Sequence, residues 1–176
     1  VVVAGEITST GQVDVAGVVR KTLLEIGYDD AEYGIDGANC AVITTLDKQS
    51  PHIAMGVDMG GAGDQGVMFG YATDETAELM PAPIFYAHAL VRQLAEVRRN
   101  GTLPWVRPDG KSQVSVAYEN GRPRSVETVV VSTQHTPDVD IDTIREDIIR
   151  EVIVPVIPSD LLDPDACTFH INPTGR

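Results

Sequence analysis

Residues 113–131, QVSVAYENGRPRSVETVVV, contain two segments of alternating polarity on either side of a turn. Polar and apolar side chains alternate from Gln113 to Tyr118 and again from Ser125 to Val131. A period of two is typical of strands that bury one face. Between the segments, Asn120-Gly121 is a dipeptide that favours a tight turn. The stretch therefore predicts an antiparallel hairpin.

Helices and further strands are predicted on both sides of this hairpin. Pro83 begins a helix that ends at Asn100-Gly101, and Asp140 caps a helix from Ile141 to about Val154. Toward the N-terminus, a helix lies between Asp14 and Gly27, and 48–66 is a long loop. The predicted outer strands are 1–4, which we expect to be buried, 40–46, 67–72 and 167–171. This order favours an α+β fold of two-layer mixed sheets with helices on one face over a doubly wound parallel sheet.

The composition excludes two classes of partner. The chain has 176 residues and a formal net charge of -13, which opposes non-specific nucleic-acid binding. No apolar run is long enough to span a membrane. The two cysteines, Cys40 and Cys167, are far apart, as in a reduced, cytoplasmic protein. A polyphosphate ligand would need its charge offset, most simply by divalent cations.

The glycine-rich segment GAGDQG at 61–66 matches the G-x-G-x-x-G pattern of dinucleotide sites. That pattern requires a strand before it and a helix after it. Here no strand is predicted before it, a strand is predicted after it, and Asp64 would repel a pyrophosphate. We therefore reject a dinucleotide site. From composition alone, a turn before a strand is the favoured interpretation.

Two further segments carry candidate binding residues. In RPDGKSQ at 107–113, basic side chains at a turn can hold phosphate oxygens, and Asp109 can contact a sugar hydroxyl or a cation. Taken alone, a salt-bridged surface turn explains this segment better. Glu6 follows a predicted strand and can hold an ammonium group. The four histidines show no metal-ligand spacing, and no nucleophilic triad is present.

Together these segments resemble one family. The motifs occur in order: GEIT at 5–8, KQSP at 48–51, GAGDQGVMFGYA at 61–72, MPAP at 80–83, NGTLPW at 100–105, RPDGKSQ at 107–113, STQH at 132–135 and NPTGR at 172–176. The chain closely resembles S-adenosylmethionine synthetases of the bacterial type over essentially all its residues. The segment 61–72 is the most specific of these motifs.

The resemblance implies an adenosyltransferase that forms S-adenosylmethionine from ATP and L-methionine, with Mg²⁺ and K⁺ as cofactors. It implies that Glu6, Gln49 and Asp64 bind methionine and that Asp109, Gly110, Lys111, Ser132 and Arg176 bind ATP. Lys111 and Asp64 would act in catalysis. It also implies a homodimer or a dimer of dimers, with apolar strands such as 40–46 as candidates for the interface.

The resemblance also implies that segments are missing. The family's N-terminal segment with a histidine and a magnesium aspartate, its potassium glutamate and its C-terminal phosphate-binding part have no counterpart here, so no metal ligand is expected within this portion. The loop near 58–61 is shorter than in the family, whose fold has three intertwined β-α-β-β-α-β domains. We expect a central-type domain over about 1–110 and part of a second over about 111–176. The isolated chain is expected to be inactive; the alternative function is that of a catalytically incomplete binding or structural module.

Overall fold

A computed structural model of the chain describes residues 1–63 and 66–174. The backbone forms two compact units, Val1–Gly70 and Tyr71–Arg176. The first unit contains strands β1 (Val2–Glu6) and β2 (Ile43–Asp47) and helices α1 (Val15–Ile26) and α2 (Pro51–Val57), with a short 3₁₀ turn at Ala31–Tyr33. The second contains helices α3 (Ala82–Arg99) and α4 (Ile141–Ile148), a π-helical turn at Ile149–Ile153, and strands β3 (Val106–Glu119), β4 (Arg122–His135) and β5 (Thr168–Ile171).

In the first unit, β1 and β2 form a parallel pair in which Val2 lies opposite Ile43 and Glu6 opposite Asp47. The predicted ends of α1 are confirmed. The Asp14 carboxylate accepts a hydrogen bond from the Gly17 amide at 2.9 Å, and Gly27 has the left-handed φ of 109° that ends many helices. The side chains of β1 are exposed or half-buried, so the expected buried strand is wrong for the described residues.

Two predictions around the glycine-rich segment are wrong. The predicted loop at 48–66 contains α2, which begins at Pro51; proline suits the first turn of a helix because its missing amide hydrogen would be unpaired there. The predicted strand at 67–72 has no regular structure. Met68 and Phe69 are 96% and 94% exposed. An apolar, aromatic segment forms a strand only where a neighbouring strand pairs with it, and this segment has no such partner among the described residues.

The second unit confirms the α+β class, with a mixed sheet of order β3-β4-β5. The first pair is antiparallel and the second parallel. The hairpin between β3 and β4 is confirmed, since Asn120 and Gly121 have φ of 50° and 75°, the left-handed pair that a two-residue turn of type I′ requires. Among the described helices, none is long and apolar enough to cross a membrane.

One face of this sheet carries the core. Alternate residues of the strands, including Val114, Val129 and Val131, are buried in one apolar cluster with side chains of the helices. The helical members of the cluster are Ala82, Tyr86, Ala87, Leu90, Leu94, Val97, Ile144, Ile148, Val152 and Ile153. The intervening strand residues are exposed or half-buried. The opposite face of the sheet is therefore the accessible one.

The division of the chain differs from the expected boundary near residue 110. That position lies inside β3, and the compact units divide between Gly70 and Tyr71 instead. The physical reason is that Leu90 and Leu94 of α3, before position 110, share one buried cluster with Val114 and Val129, after it. A boundary near 110 would cut through this core.

The segment that precedes α3 is anchored by two carboxylates. Glu75 accepts hydrogen bonds from the Ala82 amide at 2.9 Å and from the Tyr118 hydroxyl. Asp74 accepts two from the Arg122 guanidinium, at 2.7 and 3.0 Å. Burial, and then the contact with Glu75, raises the pKa of Tyr118 to about 12. Its hydroxyl therefore remains a donor well into the alkaline range.

Stability is expected to depend on pH through Glu75. The hydrogen bonds from Ala82 and then Tyr118 hold the pKa of this carboxyl below its ordinary value of 4.5. A carboxyl with a lowered folded-state pKa stabilises the fold above its unfolded pKa, and this contribution is lost as the pH falls through the folded value. Glu75→Gln should therefore lower the melting temperature at neutral pH. The difference in melting temperature between the variant and wild type should become smaller as the pH falls.

Thermal unfolding followed by circular dichroism from neutral to acid pH measures this difference. Glu146→Gln is the matched control, because Glu146 is an exposed residue of α4 and takes no part in the contacts of Glu75. A Glu75→Gln difference that is independent of pH would contradict the assignment.

Candidate functional site

A cavity of about 770 Å³ lies in the second unit, where the open ends of β3 and β4 meet the chain that follows β5. Most of the residues in its wall are charged, polar or proline, although their apolar atoms also line it. The lining residues are Asp109, Gly110, Lys111, Ser112, Gln113, Val130, Ser132, Thr133, Gln134, His135, Pro137, Pro173 and Thr174. Four residues that the sequence predicted to bind ATP, Asp109, Gly110, Lys111 and Ser132, are thus in the wall of one cavity.

An irregularity in the hairpin positions the first three of these residues. Val106 lies opposite His135 and Gly110 opposite Thr133, so three residues of β3 face a single residue of β4 between those two pairs. Such bulges change the direction of a strand and of its side chains. The bulge therefore takes Asp109 out of the regular ladder just before the strand resumes at Gly110.

The regular ladder then brings Lys111 and Ser132 together. The two residues lie directly opposite each other, and residues opposite each other on antiparallel strands share a face of the sheet. Gln113 and Val130 form the next pair on this face. Lys111 is exposed and forms no ion pair with any residue that the structure describes. Its ammonium group is therefore available to an anionic ligand.

Gly110 lies against α3 on the other face. A Cβ atom built at this position would be 2.7 Å from the Leu94 Cδ2 atom, closer than packed carbon atoms approach. Leu94 is 3% exposed and belongs to the core. The absence of a side chain at 110 therefore allows the helix to approach the strand directly beneath Asp109 and Lys111.

The far end of β4 supplies an imidazole to the cavity wall. The Nδ1 atom of His135 is 2.8 Å from the carbonyl oxygen of Thr136. A carbonyl oxygen only accepts, so Nδ1 carries the proton. In the neutral ring, Nε2 is then an acceptor, which suits a hydroxyl or an amino group of a ligand.

Glu6 and Gln49, predicted to bind methionine, belong to the first unit. Glu6 is the last residue of β1 and lies opposite Asp47, the last residue of β2. Gln49 follows two residues later, so the carboxylate and the amide come from the same edge of the parallel pair. The other predicted residues, Asp64 and Arg176, lie outside the described residues.

The sequence predicted no role for several residues of the cavity wall, among them Gln113, Thr133 and His135. It also predicted none for Asn172, the residue before Pro173 of the wall. The available signal for Gln113 was its spacing of two from Lys111, which places both on one strand face. Thr133 and Asn172 are buried polar residues. No periodic pattern indicates such a pair, because the two residues are 39 positions apart.

The described part of the cavity wall offers few charged ligands for a metal ion. Asp109 is the single carboxylate among the described residues of the cavity wall. Across residues 1–63 and 66–174, no group of three or more His, Cys, Asp or Glu side chains could hold a metal ion. An ion at this cavity would need further ligands from a bound molecule, from water or from other parts of the protein.

Comparison with known proteins agrees with this arrangement of motifs. A sequence model for the N-terminal domain of S-adenosylmethionine synthetase matches residues 1–51, and one for the central domain matches residues 59–176. The S-adenosylmethionine synthase of Desulfosudis oleivorans is 55% identical over 181 residues, which cover 99% of this chain and 46% of that protein. The chain therefore spans less than half the length of this relative. Because the central-domain match alone covers well over half of the chain, the chain belongs to the S-adenosylmethionine synthetase family.

Proposed function

We propose that the full-length protein containing this chain is a methionine adenosyltransferase. The observation that carries the proposal is the cavity that gathers Asp109, Gly110, Lys111 and Ser132 on one hairpin. Its volume of about 770 Å³ is in the range of sites for ligands of nucleotide size. Family membership and the Lys111 ammonium group, which forms no ion pair with a described residue, support ATP as the occupant.

Each unit is assigned one substrate. In the second unit, Lys111 contacts the phosphates, Asp109 the ribose or a cation, and Ser132 the region of the adenine. In the first unit, the Glu6 carboxylate holds the methionine ammonium group and Gln49 contacts the same substrate. The two remaining assignments, Asp64 beside methionine and Arg176 on ATP, rest on the sequence motifs.

The proposed reaction is a displacement at C5′ of ATP. A lone pair of the methionine sulfur forms the S–C5′ bond while the C5′–O bond breaks, and its electron pair leaves with the tripolyphosphate. The product is a sulfonium cation, S-adenosylmethionine. Water then cleaves the tripolyphosphate to diphosphate and phosphate. The protein aligns sulfur, C5′ and leaving group, and stabilises the departing negative charge.

No protein nucleophile is needed in this scheme, because the attacking sulfur belongs to the substrate. Lys111 stabilises the oxygen that departs from C5′, where negative charge increases in the transition state. Mg²⁺ and K⁺ are proposed cofactors that would reduce the charge of the polyphosphate. A cytoplasmic homodimer or dimer of dimers is the proposed state of the whole protein.

The test uses the full-length protein with ATP, methionine, Mg²⁺ and K⁺, and follows S-adenosylmethionine by mass spectrometry and phosphate release by colorimetry. We expect the sulfonium product and phosphate to increase together. Omission of methionine is the control. Product formation at the level of this control would refute the proposed function.

The isolated 176-residue chain is expected to be inactive in the same assay. It spans 46% of the relative's length, so the alternative of a catalytically incomplete binding or structural module applies to the isolated chain. Activity of the isolated chain equal to that of the full-length protein would show that this expectation is wrong.

A further inference from the structure

The side chain of Asn172 continues the sheet where β5 ends. The Asn172 amide nitrogen donates to the carbonyl oxygen of Val131 at 3.0 Å. Its side-chain Oδ1 accepts from the Thr133 amide at 2.9 Å, and its Nδ2 donates to the Thr133 carbonyl at 3.0 Å. The carboxamide thus acts as the peptide group of an additional strand residue and pairs with both main-chain groups of Thr133.

These hydrogen bonds are buried, so water would not replace them if they were lost. Asn172 is 3% exposed and Thr133 is 5% exposed. A buried amide or carbonyl that loses its hydrogen-bond partner stays desolvated without compensation, and this destabilises the fold. Removing the carboxamide would therefore leave main-chain groups of Thr133 unpaired and favour a rearrangement of the chain at this point.

The backbone of Asn172 then turns the chain away from the sheet. Its φ of 42° lies in the left-handed region, which asparagine tolerates better than most residues. The next two residues, Pro173 and Thr174, are exposed and form one wall of the cavity. Asparagine meets both requirements here, since glycine would adopt the φ without the hydrogen bonds and aspartate would lack the Nδ2 donor.

The β3–β4 residue pair that Asn172 contacts lies among the predicted ATP contacts. Thr133 lies directly opposite Gly110 and next to Ser132, which lies opposite Lys111. One side chain therefore joins the end of β5, the β4 backbone and the cavity wall at Pro173. Its Oδ1 and Nδ2 atoms are both hydrogen-bonded to the Thr133 backbone, so we expect Asn172 to affect a ligand through the position of the wall.

We propose that Asn172 is a positioning residue that holds the Pro173–Thr174 wall at the distance from the β3–β4 hairpin that a nucleotide polyphosphate requires. The inference rests on the proposed function of this cavity as the ATP site. It assigns to Asn172 control of ATP affinity without contact with ATP.

The test compares Asn172→Gly with Asn120→Gly in the full-length protein. Both substitutions replace an asparagine at positive φ, but Asn120 is in the exposed hairpin turn, remote from the cavity wall. Steady-state kinetics gives KM for ATP and for methionine, and calorimetry gives the affinity for ATP and for tripolyphosphate. Because misplacement of a binding group by about 1 Å can cost on the order of a hundredfold, we expect Asn172→Gly to weaken ATP and tripolyphosphate binding at least about tenfold.

The methionine KM and all properties of Asn120→Gly should remain near wild type. Asn172→Asp adds a second readout. Its carboxylate repels the Thr133 carbonyl oxygen, whereas the protonated acid has both the donor and the acceptor of the amide. Its ATP affinity relative to wild type should therefore recover as the pH falls, because burial raises the pKa of an aspartate.

The outcomes separate this inference from the proposed function. If wild type binds ATP and Asn172→Gly binds it equally well, Asn172 is only structural and the inference is overturned. An equal loss of ATP and methionine affinity would overturn it too, since general damage to the fold would explain it. If wild type binds neither ATP nor tripolyphosphate, the proposed function and the inference both fail.

Discussion

Replacing Lys111 by alanine in the full-length protein is expected to lower kcat for S-adenosylmethionine formation about a hundredfold or more, the cost typical of losing a group that stabilises transition-state charge. Lys111 lies on the accessible face of β3, opposite Ser132, and no described residue forms an ion pair with it. Within the described part of the chain, its charge is therefore not paired with an acidic side chain. The charge matters most when the tripolyphosphate departs, so turnover should fall more than methionine binding weakens.

Initial rates at varied ATP and methionine concentrations measure this effect. Arg124→Ala is the matched control: it also removes one positive charge, but Arg124 pairs with Glu119 at 3.6 Å beside the hairpin turn, at the other end of the strands. Its kcat should stay near wild type. An unchanged kcat in Lys111→Ala would remove Lys111 from the mechanism. A loss of the same size in Arg124→Ala would show that net charge, and not position, determines the rate.

The sequence predicted the elements whose local signals agree with their tertiary surroundings. The hairpin had alternating strands and Asn120-Gly121, and the structure places both turn residues at positive φ. Helix α1 had Asp14 and Gly27 at its ends, and both act there as caps. Such signals involve residues close in sequence, so they can be recognised without knowledge of the fold.

The same local signals failed where the backbone depends on a distant partner. The segment 67–72 is apolar and aromatic, yet it forms no strand and Phe69 is 94% exposed. Strand propensity describes how well a residue fits an existing sheet, and it does not supply the neighbouring strand. The chain also spans only 46% of the length of its relative, so local propensity had to be judged without much of the surrounding protein.

The register of the hairpin explains why the cavity could be predicted only in part. An undisturbed ladder from the turn at Asn120-Gly121 would place Lys111 opposite Val130. Two irregularities, between Ser115 and Val116 and between Ala117 and Tyr118, shift the pairing so that Lys111 lies opposite Ser132. Two successive polar residues after Val126 interrupt the alternation near one shift, but they do not by themselves give the new pairing. The motifs identified Lys111 and Ser132 separately, but their direct pairing required the structure.

The rest of the wall depends on contacts between residues far apart in sequence. Asn172 contacts Thr133 through its side chain across 39 positions. Gly110 approaches Leu94 of α3 because two elements pack on each other. Glycine at 110 is also compatible with an ordinary turn, the interpretation that the sequence favours when RPDGKSQ is considered alone. Its role in packing appears only when α3 is placed against β3.

Gly110→Ala is expected to destabilise the second unit by about 1–3 kcal/mol, the range for adding a methyl group to a filled core. The new Cβ would lie 2.7 Å from Leu94 Cδ2 and 3.6 Å from the Ser132 carbonyl oxygen. Leu94 is 3% exposed, so its methyl group can move only by displacing other core side chains. The strain should move α3 away from β3 and displace Lys111, the residue that follows Gly110.

A double-mutant cycle with Leu94→Ala isolates this contact. In the Leu94→Ala background the obstructing methyl groups are absent, so Gly110→Ala should cost much less, and the two substitutions should couple by about 0.5–3 kcal/mol, as residues in contact do. Urea unfolding of the full-length variants gives the free energies. Gly70→Ala is the control, because a Cβ there meets nothing within 4 Å, and exposed substitutions of this kind change stability by about 0.5 kcal/mol at most. If Gly110→Ala costs the same with and without Leu94, the contact does not limit the approach of α3 to β3, and the strand below Lys111 is held by other means.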